Sequence, residues 1–274
     1  VSKNQDGSVI AKFTLSDRTL RISGSGEMKN WGLFDECEWH NSQYTNIIEN
    51  VIIEKGITNI GEGAFYKCSS LERIEIPSSV TSISIRAFEK CSSLERIEIP
   101  SSVTSIGEYA FDGCSSLINI NVNKGNKNYI SEEGVLFDKN KTELIKYPCK
   151  KQSTKEYSIS NSVTSIGEYA FEGCSSLERI EIPSSVTSIG RHAFEGCSRL
   201  IVYTKADSYG HQYAEENKIV YILDGIATEF TTQYEMKTEK SWDISKNQDG
   251  SVIAKFSLAD KTLRISGSGE MKDW

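Results

Sequence analysis

No stretch of this 274-residue chain approaches the roughly 18 consecutive apolar residues that suggest a membrane-spanning helix; regions such as Ile47 to Ile53 fall far short, so no membrane insertion is expected. Basic residues are never massed. The 31 Lys and Arg stand against 38 Asp and Glu for a net charge of −7, which argues against sequence-independent nucleic-acid binding, because that needs Lys and Arg clustered on one face. Histidine is scarce: His40, His192 and His211 lie far apart, and none adjoins a Cys or Ser in a recognisable nucleophile setting. Close cysteine pairs of the Cys-x-x-Cys kind, which structural zinc requires, do not occur. Gly24-Ser25-Gly26 is too short for a dinucleotide fingerprint, and Asp138 to Thr142, with its two lysines, reads as a hairpin turn rather than a calcium loop. No catalytic residue, metal or cofactor is therefore expected. No basic start followed by an apolar run and a cleavage site appears, so any signal peptide is expected to lie outside this chain, which begins at Val1 as a fragment would.

What the chain has instead is repetition. Cys68, Cys91 and Cys114 are spaced by 23 residues, as are Cys174 and Cys197, and a step of 60 separates the two groups. A fixed period of this size marks a solenoid, whose units are too short to bury their own apolar faces and must stack. One apolar column runs through Ile48, Leu71, Leu94, Leu117, Leu177 and Leu200, and a second through Val51, Ile74, Ile97, Ile120 and Ile180. Ile74 and Ile76 are expected to point inward on a strand that Pro77 ends, with Arg73 and Glu75 pointing outward. Val80 to Ile83 and its counterparts predict a second short strand, and Ala-Phe-x-x-Cys a tight turn whose Phe fills the coil. Seven cysteines fit a fully paired framework poorly, so the ladder thiols are expected to be buried and free; stacked neighbours are close enough for a disulfide but seldom aim their Cβ atoms correctly.

Ahead of the coils, Val9 to Leu15 and Leu20 to Ile22 alternate around Ser16-Asp17-Arg18 and predict a β-hairpin; residues 38 to 46, with Trp39 and Tyr44, predict a short capping helix. Residues 123 to 153 break the period, and a hairpin around Lys139-Asn140-Lys141 is expected to replace one helical turn and protrude from the stack. After the last coil, Ser208 should cap a helix running to about Asn217, with Ile219 to Leu223 closing the stack. Residues 1 to 31 return almost unchanged at 244 to 274. The domain reading is thus 1–47 for the hairpin and N-terminal cap, 48–223 for the solenoid and C-terminal cap, 224–243 for a linker, and 244–274 for the truncated start of a next module. The chain is expected to be a monomer, with pairing through 244–274 as the alternative.

The outward strand positions form a lattice of Arg73, Glu75, Arg96, Glu98, Arg179 and Glu181. Mixed charge of this kind keeps a surface soluble. It can also meet a partner of complementary pattern, and Asn119, Asn121, Glu156 and Ser158, which interrupt it beside the irregular coil, are the expected seat of selectivity.

The Leu-x-x-Ile-x-Ile-Pro-x-x-Val-x-x-Ile-Gly-x-x-Ala-Phe-x-x-Cys coil resembles the BspA-like leucine-rich repeat family of surface proteins, as do the Gly-Val-Leu-Phe segment ending at Phe137 and the Gly-Ser-Gly-Glu-Met preceding the coils. The resemblance implies an α/β, β-dominant, right-handed leucine-rich repeat solenoid with parallel strands. It also implies a secreted or cell-surface protein, linked to adhesion, that binds a protein or glycan on another cell or host matrix. Two other roles fit the same residues: a structural stalk, or the targeting part of an enzyme whose catalytic domain lies elsewhere.

Overall fold

A computed structural model describes residues 1, 3, 6–32, 39, 42–151 and 155–223, and by their backbone 239–243, 252–257 and 262–267. Contacts divide the chain into two units, Val1–Ile222 and Leu223–Trp274. Cys37 and His40 lie outside the described residues, as does the part of the expected linker from 224 to 238.

The first unit opens with the predicted hairpin: β1 (Val9–Thr14) pairs antiparallel with β2 (Thr19–Gly24), Val9 opposite Gly24 and Thr14 opposite Thr19. At the turn, Asp17 Oδ1 accepts from the Thr19 N–H at 3.2 Å. The helix expected over 38–46 is a single turn, α1 (Ser42–Thr45).

Each regular coil then contributes a long and a short strand. They are β3 (Asn50–Ile53) and β4 (Asn59–Ile60), β5 (Arg73–Glu75) and β6 (Ser82–Ile83), and β7 (Arg96–Ile99) and β8 (Ser105–Ile106), followed by β9 (Asn119–Val122). The irregular coil supplies β10 (Tyr129–Glu132), β11 (Val135–Asp138) and β12 (Glu143–Lys146). Regular coils resume with β13 (Glu156–Ser158), β14 (Ser165–Ile166), β15 (Arg179–Ile182) and β16 (Ser188–Ile189). The cap consists of β17 (Ile201–Thr204), α2 (Tyr209–Glu216) and β18 (Val220–Leu223). Like strands of successive coils pair in parallel one period apart, as Asn50 with Arg73, Arg96 with Asn119 and Ser82 with Ser105. The leading hairpin is continuous with this stack, because β2 pairs parallel with β3.

Side-chain alternation decides what is inside. Ile97 and Ile99 are buried while Arg96 and Glu98 between them are exposed. The phenyl groups form two files, one on each side of the irregular coil: Phe65 and Phe88 stack with centroids 5.5 Å apart and Phe88 and Phe111 at 5.8 Å in the first, and Phe171 and Phe194 at 5.0 Å in the second. Trp39 closes the first file at its start, 6.3 Å from Phe65, with its indole N–H donating to Ala64 O at 2.7 Å. The Gly of each Ile-Gly step has a spatial reason: a Cβ on Gly107 would lie 2.4 Å from Ile85 N, and one on Gly190 at 2.4 Å from Glu168 N. At the far end, Ser208 Oγ accepts from the His211 N–H at 3.3 Å and caps α2.

Two expectations need correction. The irregular segment is a three-stranded antiparallel meander, not a lone protruding hairpin, and its Val135, Leu136 and Phe137 are buried in the core. The β10–β11 turn uses two residues with positive φ, Glu133 at 49° and Gly134 at 85°, and packs onto β9, Gly134 O accepting from the Ile120 N–H at 3.0 Å. The second correction concerns cysteine. Cys68, Cys91 and Cys114 are buried free thiols as expected, but Cys174 is bonded to Cys149. In regular coils the thiol donates to the Phe carbonyl of the previous coil, Cys91 to Phe65 O and Cys114 to Phe88 O, both at 3.1 Å, which turns sulfur away from sulfur. Tyr147-Pro148-Cys149 is one residue shorter than Phe-x-x-Cys, and Tyr147 takes the phenyl place, 5.0 Å from Phe171. The shortened turn leaves Cys149 abreast of Cys174.

In the second unit, β19 (Glu239–Asp243), β20 (Val252–Ser257) and β21 (Thr262–Gly267) form an antiparallel sheet in that order. Its first strand lies within the stretch read as linker. No helix among the described residues is long and apolar enough to cross a membrane.

Candidate binding surface

The ten predicted residues occupy alternate positions of the long strands β5, β7, β9, β13 and β15, but not as one lattice. In the first group, on β5, β7 and β9, Arg73, Glu75, Arg96 and Glu98 are exposed and form no ion pair among the described residues. Arg96 stands opposite Asn119 and Glu98 opposite Asn121. Asn121 is exposed, whereas Asn119 is half covered by the meander, its Oδ1 buried beside Gly134.

In the second group, Glu156 stands opposite Arg179 and Ser158 opposite Glu181. Here Glu156 is exposed without an ion pair among the described residues, but Arg179 and Glu181 are taken up: Ser158 Oγ donates to Glu181 at 2.7 Å, Arg179 bonds Glu181, and the Arg179 guanidinium lies 3.8 Å over the Tyr203 ring. Those two donors, Ser158 first and then Arg179, hold the Glu181 carboxyl below the usual range. The irregular coil separates the groups, so the sites it interrupts do not form one contiguous patch.

On the turn corner of the coils lies a second feature, whose shared coil position is readable from sequence but whose contacts are not. Arg86, Tyr109, Tyr169 and His192 occupy one position per coil, all at positive φ between 53° and 59°. Tyr109 and Tyr169 are 60 residues apart in sequence, yet their rings are 5.5 Å apart, and His192 stacks on Tyr169 at 5.0 Å. They meet because the meander has no helical turn at this corner. Beneath them the omission leaves a cleft of about 540 Å³ between residues 106–112 and 167–169, with Tyr129 and Lys146 in its wall.

Side chains bridge the ladder across that gap. In regular coils the N–H of Lys90 bonds Asp112 O and that of Gly173 bonds Glu195 O; at the gap the Gly113 N–H meets the Glu172 carboxylate at 2.9 Å. Lys146 Nζ, 5% exposed, donates to Tyr169 O at 2.7 Å, and Tyr129 Oη accepts from the Ile106 N–H at 2.8 Å. Burial lowers the Lys146 pKa, opposed by Asp112 and Glu172. Burial, then a hydrogen bond and charge from Glu172, pushes Asp112 up to about 7, while Glu172, aided by Asp112, Gly113 and Lys146, stays below its ordinary value. The two acids hold one proton between them near neutrality. The signal available in sequence was a column in which Glu89, Asp112, Glu172 and Glu195 recur directly after the phenylalanine.

His192 lies in the last regular coil and His211 in α2, and no group of His, Cys, Asp and Glu among the described residues could hold a metal ion.

A parallel-stranded solenoid with a charged strand face and capped ends defines a leucine-rich repeat protein. Residues 40–149 and 142–211 match the BspA type leucine rich repeat region in six copies, and the chain belongs to that family. It is similar to a leucine rich cell surface protein of Faecalibacterium prausnitzii A2-165, at 34% identity over 58% of this chain and 42% of that one, TM-score 0.54. It is also similar to the pneumococcal vaccine antigen PcpA, at 30% identity over 57% of this chain and 39% of that one, TM-score 0.53. The chain thus spans about two fifths of the length of either relative. No curated protein matches it. Family and fold are those of repeat proteins that typically carry interaction surfaces rather than catalytic sites.

Proposed function

We propose that this chain is a non-enzymatic recognition module of a secreted or cell-surface protein, which holds a host protein, another cell or a glycan through its strand face. The observation that carries the reading is the first group of charges. Arg73, Glu75, Arg96 and Glu98 are exposed on a rigid stack without ion-pair partners among the described residues, so their fields are available to a partner of complementary pattern. Asn121, at the edge of the meander, is the adjoining position at which selectivity is assigned. The similarity to a protein described as cell surface and to one described as a vaccine antigen supports a location outside the cell.

The test is to immobilise the chain against arrays of matrix proteins and glycans, beside an Arg73→Glu, Arg96→Glu double variant of unchanged circular dichroism. Binding that falls about tenfold or more in the variant and weakens with salt supports the reading. Hits that the variant binds equally well, or a blank array, would refute it. A blank array would favour the stalk, which the return of the leading hairpin at 252–267 already suggests.

A further inference from the structure

β1 is the outer strand of the leading sheet, ordered β1-β2-β3-β5. The amino group of Val1 bonds Val9 O at 3.1 Å, so the backbone of Val9 faces away from β2. Because hydrogen-bonding direction alternates along an antiparallel strand, the N–H and C=O groups of Ala11 and Phe13 face the same edge, along which no other described strand pairs. Beside that edge lies an apolar groove of about 520 Å³ lined by Val9, Ala11, Phe13, Leu20, Trp39 and Tyr44 among others. Phe13 and Tyr44 meet edge to face at 5.8 Å, and Tyr44 remains 37% exposed.

The second unit shows what belongs there. Residues 252–267 repeat 9–24 nearly residue for residue, and β20–β21 reproduces the register of β1–β2, Val252 opposite Gly267 as Val9 is opposite Gly24. In that copy the outer edge is covered. Residues 239–243 lie antiparallel along it, Trp242 opposite Ala254 and Asp243 opposite Ile253. The next rung of that register would pair residue 244 with Val252, and their counterparts in the first copy, Val1 and Val9, are the bonded pair just described. The two sheets therefore share one register through this rung. A strand of the same sequence on β1 would set its tryptophan opposite Ala11. Directly opposed residues share a face, which here is the face of the groove, and the small Ala11 leaves space for an indole.

We propose that the outer edge of β1 accepts a strand of sequence Glu-Lys-Ser-Trp-Asp placed directly ahead of Val1, in the register that β19 takes on β20. Main-chain hydrogen bonds to Ala11 and Phe13 supply the register, and the tryptophan, able to bury about 150–250 Å², anchors the strand in the groove.

The experiment adds Glu-Lys-Ser-Trp-Asp directly ahead of Val1 in the full chain, with a second version carrying alanine for the added tryptophan. Hydrogen exchange at the Ala11 and Phe13 amides should slow by about tenfold or more, and the first unit should melt several degrees higher, with most of both effects lost in the alanine version. Unchanged exchange at Ala11 and Phe13 would overturn the proposal, and so would equal protection by the alanine version, since the groove would then play no part.

Discussion

Phe88→Ala removes the middle of the first phenyl file. Phe88 is 0% exposed and stacked on both sides, on Phe65 at 5.5 Å and on Phe111 at 5.8 Å with the two rings parallel. Truncating a buried Phe to Ala costs about 3–5 kcal/mol in lost transfer and residual cavity. Each aromatic pair accounts for about 0.5–1.5 kcal/mol of such a loss beyond area burial. The upper part of the range is expected here, because the backbone ladders on either side of Phe88 restrain collapse: its N–H bonds Ala110 O at 2.9 Å, and the Phe65 N–H bonds Ala87 O at 2.8 Å. For a unit of this size, about 2–4 °C per kcal/mol gives a melting temperature lowered by about 6–20 °C. Phe88→Leu should lose mainly the stacking, and Tyr109→Ala, on the outer ladder, should stay within about 0.5 kcal/mol of the parent. Urea unfolding followed by fluorescence and circular dichroism measures all three, with the slope compared to detect any loss of cooperativity between coils. A Phe88→Ala cost no larger than that of Tyr109→Ala would refute the idea that the stacked phenyl groups form the interior of the first coils.

Three other outcomes follow from the irregular coil. Cys149→Ser opens a bridge between residues separated by 25 positions, which chain entropy values at about 3.5 kcal/mol; the parent should show a matching fall in melting temperature on reduction and the variant none. Asn126 is 1% exposed, donates to Pro100 O and Val103 O, and accepts from the N–H groups of Asn128 and Tyr129, so Asn126→Ala should cost about 3 kcal/mol or more in thermal unfolding. Asp112, raised from 3.8 to about 7, contributes stability that is full below its unfolded value and lost as pH rises through about 7. The parent should therefore lose melting temperature between about pH 5 and about pH 8 relative to Asp112→Asn; equal slopes would show that the Asp112–Glu172 pair carries no proton linkage.

Much of the fold is legible in the chain because every coil repeats the same instruction. The alternation of Arg96, Ile97, Glu98 and Ile99 assigns faces whatever the neighbours are, and a 23-residue period leaves parallel stacking as the way to bury Leu71, Leu94 and Phe88. The leading hairpin and the helix capped by Ser208 are likewise local, since turn and cap residues act within a few positions. The same alternation reads the ten strand-face residues as outward, and none of them is buried, although the meander half covers Asn119. Their division into unpaired charges on β5 and β7 and the mutually bonded Arg179 and Glu181 on β15 was not legible, because alternation assigns a face and not a partner.

Sequence alone therefore determined the period, the inward columns and the outward charges, each of which is set by backbone geometry repeated at short range. Tertiary structure decided what happens where the period fails. Only in three dimensions does the omitted turn bring Tyr109 to Tyr169 and Asp112 to Glu172, bury Lys146 between coils and set Cys149 beside Cys174. Those contacts join residues whose neighbours in sequence carry no record of them, since a skipped corner is closed by whatever side chains the next coil presents.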